Sequence, residues 1–167
     1  GIVPQRALLF KGTIRSNMLW GNKNASDYEI WIALETAQAA EFVRKLSDGI
    51  DSVVEQGGRN FSGGQRQRLT IARALVMKPD IIILDDSSSA LDFATDAALR
   101  TALKRDLSGS TVFIVSQRAS SVKHADKIIV LDDGHAAGIG SHGELFENCQ
   151  VYREICLSQM SQQEAEK

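Results

Sequence analysis

The stretch SGGQRQRLTIARALVMKPDIIILDD, residues 62–86, decides the fold. It opens on a serine and two glycines, then sets Leu69, Ala72, Leu75 and Val76 at helical spacing until Pro79 stops the pattern. Directly beyond lies IIILDD, an apolar run too short for a helix and rich in β-branched side chains. Such a run is expected to be a strand buried on both faces, closed at its carboxyl end by Asp85 and Asp86. A helix that feeds a buried strand is the building unit of α/β folds.

Working outward, the same alternation continues. Ser26 and Glu29 form a capping-box pattern, and Ile30, Ala33, Leu34, Ala37 and Ala40 follow helical spacing, which predicts a helix over 26–47. A polar, glycine-bearing stretch runs from Asp48 to Asn60. Helical spacing returns over 94–107, TVFIVS at 111–116 is a second buried strand, and KIIVL at 127–131 a third. Ser141 and Glu144 repeat the capping box before a last helix that carries Leu145, Phe146, Tyr152 and Ile155. The expected fold is α/β, a mostly parallel sheet flanked by helices. In such sheets the functional side chains lie just past the carboxyl ends of the strands, where Asp85, Asp86, Ser116 and Gln117 fall. Residues 161–167 form a polar tail.

Composition narrows the functional classes. Hydrophobic residues at 43% and charged residues at 24% belong to a globular chain and exclude wholesale disorder. The net charge of −2 argues against a nucleic-acid coat protein, whose affinity rests on basic excess. No apolar run approaches the roughly 20 residues that span a bilayer. Cys149 and Cys156 are expected as reduced thiols, and His124, His135 and His142 as surface residues without metal-ligand spacing. Arg66, Gln67 and Arg68 are expected on a solvated helix face, and Trp20 and Trp31 in the core or on a coupling surface.

Chemistry concentrates in two places. A helix start leaves N–H groups unpaired and carries partial positive charge, and paired glycines let an anion approach the backbone closely. Taken alone, Ser62-Gly63-Gly64-Gln65 fits a glycine-rich N-cap equally well. The strand that follows changes the reading, because a carboxylate at a strand end is a common way to hold Mg²⁺ beside nucleotide phosphates.

Five motifs then stand in order: VPQ with Gln5, FSGGQRQR at 61–68, IIILDD at 81–86, SALD at 89–92 and VSQR at 115–118. This series resembles the ATP-binding cassette family, in which they are the glutamine loop, signature motif, Walker B strand, D-loop and switch loop. GTIRSNMLWG and VEQGGRNFSGGQ are similar to exporter-type cassettes, whose nucleotide-binding domain follows a transmembrane domain in the same polypeptide. The resemblance implies a P-loop NTPase-like domain over 1–160, with a helical signature subdomain over about 14–60. It also implies roles for single residues. Gln5 touches Mg²⁺ or the attacking water and senses the transmembrane domain; Asp85 ligates Mg²⁺ through water. Ser62, Gly63, Gly64 and Gln65 hold the γ-phosphate of an ATP bound mainly to a second cassette, in a head-to-tail dimer whose two sites Asp92 links. Glu55 is given no role beyond a contact with transmembrane coupling helices. The implied location is the cytoplasmic face of the cell membrane for the parent protein, with the fragment itself soluble.

Two positions depart from the family pattern. The residue after the Walker B aspartate is usually glutamate and here is Asp86; the switch position is usually histidine and here is Gln117. Aspartate is one methylene shorter, and a misplacement near 1 Å costs on the order of 10²-fold in rate, about 2.7 kcal/mol of barrier. Gln117 can donate a hydrogen bond to phosphate but cannot carry the charge of an imidazolium. The expectation is a heterodimeric exporter in which this chain lends an undamaged signature to its partner while its own site splits ATP slowly. The alternative is an ordinary homodimer that tolerates both substitutions.

No G-x-x-x-x-G-K-[ST] occurs among the 167 residues. The sequence is therefore expected to be the C-terminal piece of a cassette whose Walker A part lies outside it, and to leave some apolar sheet surface uncovered. Two further readings stand beside the exporter: a soluble, non-transport cassette ATPase, and a non-catalytic truncated fragment.

Overall fold

The computed structural model describes residues 1–159 and separates into two compact units, Gly1–Val115 and a second that begins at Ser116. The first unit runs β1 (Ile2–Val3), β2 (Gly12–Thr13), α1 (Ile14–Gly21), α2 (Asp27–Thr36), α3 (Ala40–Arg44) and β3 (Val53–Val54). It continues with α4 (Gly63–Leu75), β4 (Ile81–Asp85), α5 (Phe93–Asp106) and β5 (Thr111–Val115). The sheet that positions the site has the order β1-β4-β5, all parallel, while β2 and β3 form a small antiparallel pair. A parallel sheet with helices is the fold expected from residues 62–86.

Local chemistry sets the helix boundaries. α1 and α2 both start in capping boxes, Thr13 with Ser16 and Ser26 with Glu29, each satisfying two otherwise unpaired N–H groups. The helix expected over 26–47 is broken in two. Gln38 adopts a left-handed φ of 59°, and the Ala39 N–H closes back on the Leu34 carbonyl at 2.7 Å, so α2 ends and α3 starts afresh. Apolar periodicity runs through this turn because both helices bury Ala33, Leu34, Ala37, Ala40 and Val43 in one core. α4 ends near the predicted stop, with Lys78 at a left-handed φ of 49° just before Pro79.

β4 differs from its predicted burial. Ile82 and Leu84 enter a core shared with Leu69, Ile71, Leu99 and Leu103, so one face is closed by α4 and α5. On the other face Ile2, Ile81 and Phe113 stay exposed at 69%, 54% and 52%. β5 is likewise open on that face rather than buried. The buried side chains of β4 face α4 and α5, and the apolar residues on the other side of the sheet stay exposed.

The second unit runs α6 (Ala119–Val122), β6 (Ile128–Asp132), β7 (His135–Gly140), α7 (His142–Asn148) and α8 (Gln150–Gln159). The third predicted strand is not part of the parallel sheet: β6 pairs antiparallel with β7 in a separate ribbon. Asp133 and Gly134, at φ 45° and 79°, make the turn that a type I′ hairpin requires. The predicted last helix is two, α7 and α8, divided at an extended Cys149. Cys149 and Cys156 are free thiols, and both are buried in a small core with Ala119, Val130, Leu145 and Tyr152. Among the described residues no helix is long and apolar enough to cross a membrane. The tail at 161–167 lies outside the described residues.

Candidate functional site

The parallel register brings the first group of residues together. Ile2 faces Ile83 and Val3 faces Leu84, an offset that also relates Gln5 to Asp86 just beyond the strand ends. Gln5 Nε2 donates to Asp86 Oδ2 at 3.2 Å. On the other flank Asp85 is in register with Val115, and the Asp86 N–H donates to the Val115 carbonyl at 2.9 Å. The Asp86 carbonyl accepts from the Ser89 N–H at 3.2 Å and from Ser89 Oγ at 2.8 Å. Asp86 itself has φ 42°, a left-handed conformation that aspartate tolerates better than most side chains. Asp85 is exposed at the end of β4. Gln5, Asp85 and Asp86, widely separated in sequence, therefore share one end of the sheet.

The second group is the start of α4. Ser62 is its N-cap: Oγ accepts from the Gln65 N–H at 3.2 Å, and Gln65 Oε1 accepts from the Ser62 N–H at 2.9 Å. This box uses the Ser62 and Gln65 amides and leaves those of Gly63 and Gly64 facing out of the helix start. Ser62 Oγ, an acceptor within the box, keeps its own proton to donate elsewhere. The two glycines differ in what surrounds them. A Cβ on Gly64 would lie 3.2 Å from the Ala90 carbonyl oxygen, whereas one on Gly63 would meet nothing within 4 Å. Ser62 and Gly63 are exposed, so the anion-attracting end of the helix opens to the outside.

Asp92 lies beside this helix start but is already engaged. It caps α5, with Oδ1 accepting from the Thr95 N–H at 2.9 Å and Oδ2 from Thr95 Oγ1 at 2.8 Å. Those hydrogen bonds hold its carboxyl below the usual carboxylate value. The D-x-x-T spacing ahead of an apolar helix carried that signal in the sequence. Gln117 belongs to the second unit, in the segment between β5 and α6. Its side chain is exposed and its carbonyl accepts from Gln159 Nε2 at 2.8 Å.

The face of α4 expected to be solvated is not. Gln67 is 1% exposed. Arg66 donates to the Phe61 carbonyl at 2.6 Å, and Arg68 donates to the Gln38 carbonyl at 2.7 Å while lying over the Phe42 ring. Burial lowers the Arg68 pKa from its ordinary value. Arg68 thus locks the left-handed turn at Gln38 onto the signature helix, a long-range role that local spacing could not reveal. Trp20 is 70% exposed and stacks on Phe10 at 4.9 Å between centroids, which places it on the surface and outside the core. Trp31 is partly buried beneath Arg44.

Among the described residues no three His, Cys, Asp or Glu side chains gather into a metal cage. One exposed strand-end carboxylate, Asp85, is instead the sparse donor that Mg²⁺ accepts when waters and phosphates complete its octahedron. The donors present fit that ion.

Comparison with known proteins gives the family. The family described as ABC transporter matches residues 1–89, more than half of the chain. The chain belongs to the ABC transporter family. An ABC transporter ATP-binding protein of Bacillus subtilis, itself uncharacterized, is 45% identical over 99% of this chain. A Rickettsia typhi protein carrying the description export ATP-binding/permease protein is 43% identical over 95%. A solved bacterial Atm1-family ABC exporter with ATP bound superposes with a TM-score of 0.92 over 97% of the chain, at 36% identity. This ABC transporter chain spans less than a third of these proteins, 29%, 28% and 29% of their respective lengths.

Proposed function

We propose that this chain is part of the ATPase domain of an exporter, coupling ATP binding and hydrolysis to movement of a substrate across a membrane. The observation that carries the reading is the outward-facing start of α4, where Gly63 has open space on its Cβ side and the Gly63 and Gly64 amides point away from the chain's own box. A glycine that the fold does not need, at a positive helix end, serves an anion supplied from outside. That anion is the γ-phosphate of an ATP held mainly by a second cassette, arranged head-to-tail with this one. The names of the relatives, an export ATP-binding/permease protein and an ABC exporter with ATP bound, favour an exporter over a soluble cassette ATPase. They also favour a transmembrane domain in the same polypeptide and a place on the cytoplasmic face of the membrane. Nucleic acid is not a partner in this reading.

At this chain's own site Asp85 would hold Mg²⁺ through water, and Asp86, which accepts from Gln5 Nε2 at 3.2 Å, would orient the attacking water. Bound Mg²⁺ supplies charge neutralisation at the phosphates. The short carboxylate at 86 makes this site slow, and the partner of a heterodimer carries most turnover. Reconstituted transporter tests both levels. Asp86→Asn is expected to leave at least half of the transport-coupled ATPase rate; a loss as complete as that from removing the partner's catalytic glutamate overturns the slow-site assignment. Absence of any ATP-dependent turnover in the unmodified transporter overturns the ATPase reading itself.

A further inference from the structure

We propose that Arg68 is a positioning residue that aims the open start of α4, an inference that rests on the reading of that helix start as the seat of a nucleotide phosphate. The helix does not need Arg68 in order to form, since the Ser62–Gln65 box starts it and Leu69, Ile71, Ala72 and Leu75 bury its apolar face. Arg68 instead ties the first turn to a distant element. Its Nε donates to the Gly64 carbonyl at 3.2 Å and its Nη1 to the Gln38 carbonyl at 2.7 Å, so one guanidinium spans the helix start and the turn between α2 and α3. The same group lies over the Phe42 ring, 4.9 Å from its centroid, and that ring meets Phe61, the residue before the Ser62 cap, at 6.3 Å between centroids. The first turn is thus held at Gly64 and at Phe61, on either side of the Gly63 amide, by contacts that converge on α3 and the turn ahead of it. Amides that must meet a phosphate lose their effect when misplaced by about 1 Å. Arginine suits the task because its planar fork can serve two carbonyls while stacking on a ring, whereas lysine presents a single point charge.

Orientation and turnover test it separately. In the isotope-labelled 167-residue chain without nucleotide, Arg68→Lys is expected to change the residual dipolar couplings of the Gly63 and Gly64 N–H bonds, while those of Ile71 and Ala72 farther along α4 stay within error. In the reconstituted transporter the same variant is expected to lower kcat about 10-fold with KM for ATP within about twofold. In a Gly63→Ala background, where the phosphate contact is already impaired, it is expected to cost less than about twofold more. Should Arg68→Lys not fold, Phe42→Leu, which removes the ring beneath the guanidinium, is expected to give both results. Unmoved couplings at both glycines, or losses that multiply across positions 63 and 68, overturn the proposal; multiplied losses are what an Arg68 acting independently of the helix start produces. Full turnover in Gly63→Ala alone would count against the phosphate reading and not against the aim of the helix start, which the couplings decide without nucleotide.

Discussion

Gly64 lies against Ala90 so closely that a Cβ at position 64 would stand 3.2 Å from the Ala90 carbonyl oxygen. The neighbouring glycine has the opposite situation, with nothing within 4 Å of a Cβ at Gly63. One glycine of the pair therefore packs the start of α4 against the loop that leads into Asp92, and the other has open space beside it. The distinction separates folding from function within a single motif.

Gly63→Ala is expected to fold normally, with stability unchanged or raised by up to about 1 kcal/mol, because alanine loses less backbone entropy in a helix. Its cost falls on nucleotide held across the dimer, seen as a drop of about 10-fold in transporter ATPase rate. Gly64→Ala is expected to lose about 1–3 kcal/mol, since its neighbour is the Ala90 backbone, which must shift to make room. Urea unfolding of the two variants, beside their ATPase rates, checks both. Equal stability losses at 63 and 64 would remove the argument that Gly63 faces outward.

Much of this arrangement was legible in sequence, and the failures have physical causes. The segment from Ser62 to Asp86 carried its own signals: a cap, apolar spacing, a proline and a β-branched run. Local rules fail where a distant partner decides. Gln38 is left-handed in a stretch whose apolar period never falters, and the Arg68 donor that secures it lies thirty residues on. The hairpin at Asp133-Gly134 had a readable turn pair, but a sequence alternating strands with helices hid the antiparallel pairing of β6 with β7. That some apolar sheet surface would stay uncovered was expected from the absent phosphate-loop motif, but the apolar runs themselves did not say that Ile81 and Phe113 would be the exposed residues.

Gly21 offers a test of how α1 sits on α4. A Cβ there would fall 2.3 Å from the Arg73 carbonyl oxygen and 2.8 Å from Val76 Cγ1, inside atoms of a well-packed helix. Gly21→Ala is expected to destabilise the chain by at least about 2 kcal/mol through overpacking. Gly143→Ala, where a Cβ meets nothing within 4 Å, serves as the control and is expected to stay within about 0.5 kcal/mol. Thermal unfolding of both variants gives the comparison. A Gly21→Ala protein as stable as the control would mean that the two helices do not approach as closely as described.

The Asp92 cap links stability to pH. Hydrogen bonds from Thr95 lower its pKa in the folded chain, so the unfolded state binds the proton more readily. The stabilisation is present above the ordinary carboxylate value near 3.8 and is lost as pH falls through the lower folded value. Asp92→Asn keeps an N-cap oxygen for the Thr95 amide but has no proton to take up in this range. Its urea midpoint is expected to fall less than that of the unmodified chain between pH 5 and pH 3. Identical pH profiles for the two proteins would show that Asp92 does not hold the end of α5.

The phosphate-cradling loop that ABC proteins place in their Walker A motif has no counterpart among these 167 residues. What remains is one helix start and a carboxylate pair with a sparse Mg²⁺ donor set, and a nucleotide draws most of its affinity from a glycine-rich loop and its lysine. Ligand that binds only the folded state stabilises by RT ln(1 + [L]/Kd), which is about 0.4 kcal/mol when concentration equals Kd. With Kd well above 1 mM, the shift in Tm at 1 mM Mg-ATP is expected to stay below about 1 °C for a chain of this size. Differential scanning fluorimetry of the 167-residue chain, with and without Mg-ATP, measures it directly. A rise of several degrees would place a high-affinity phosphate site within the described residues, and the start of α4 would then be binding nucleotide without a second cassette.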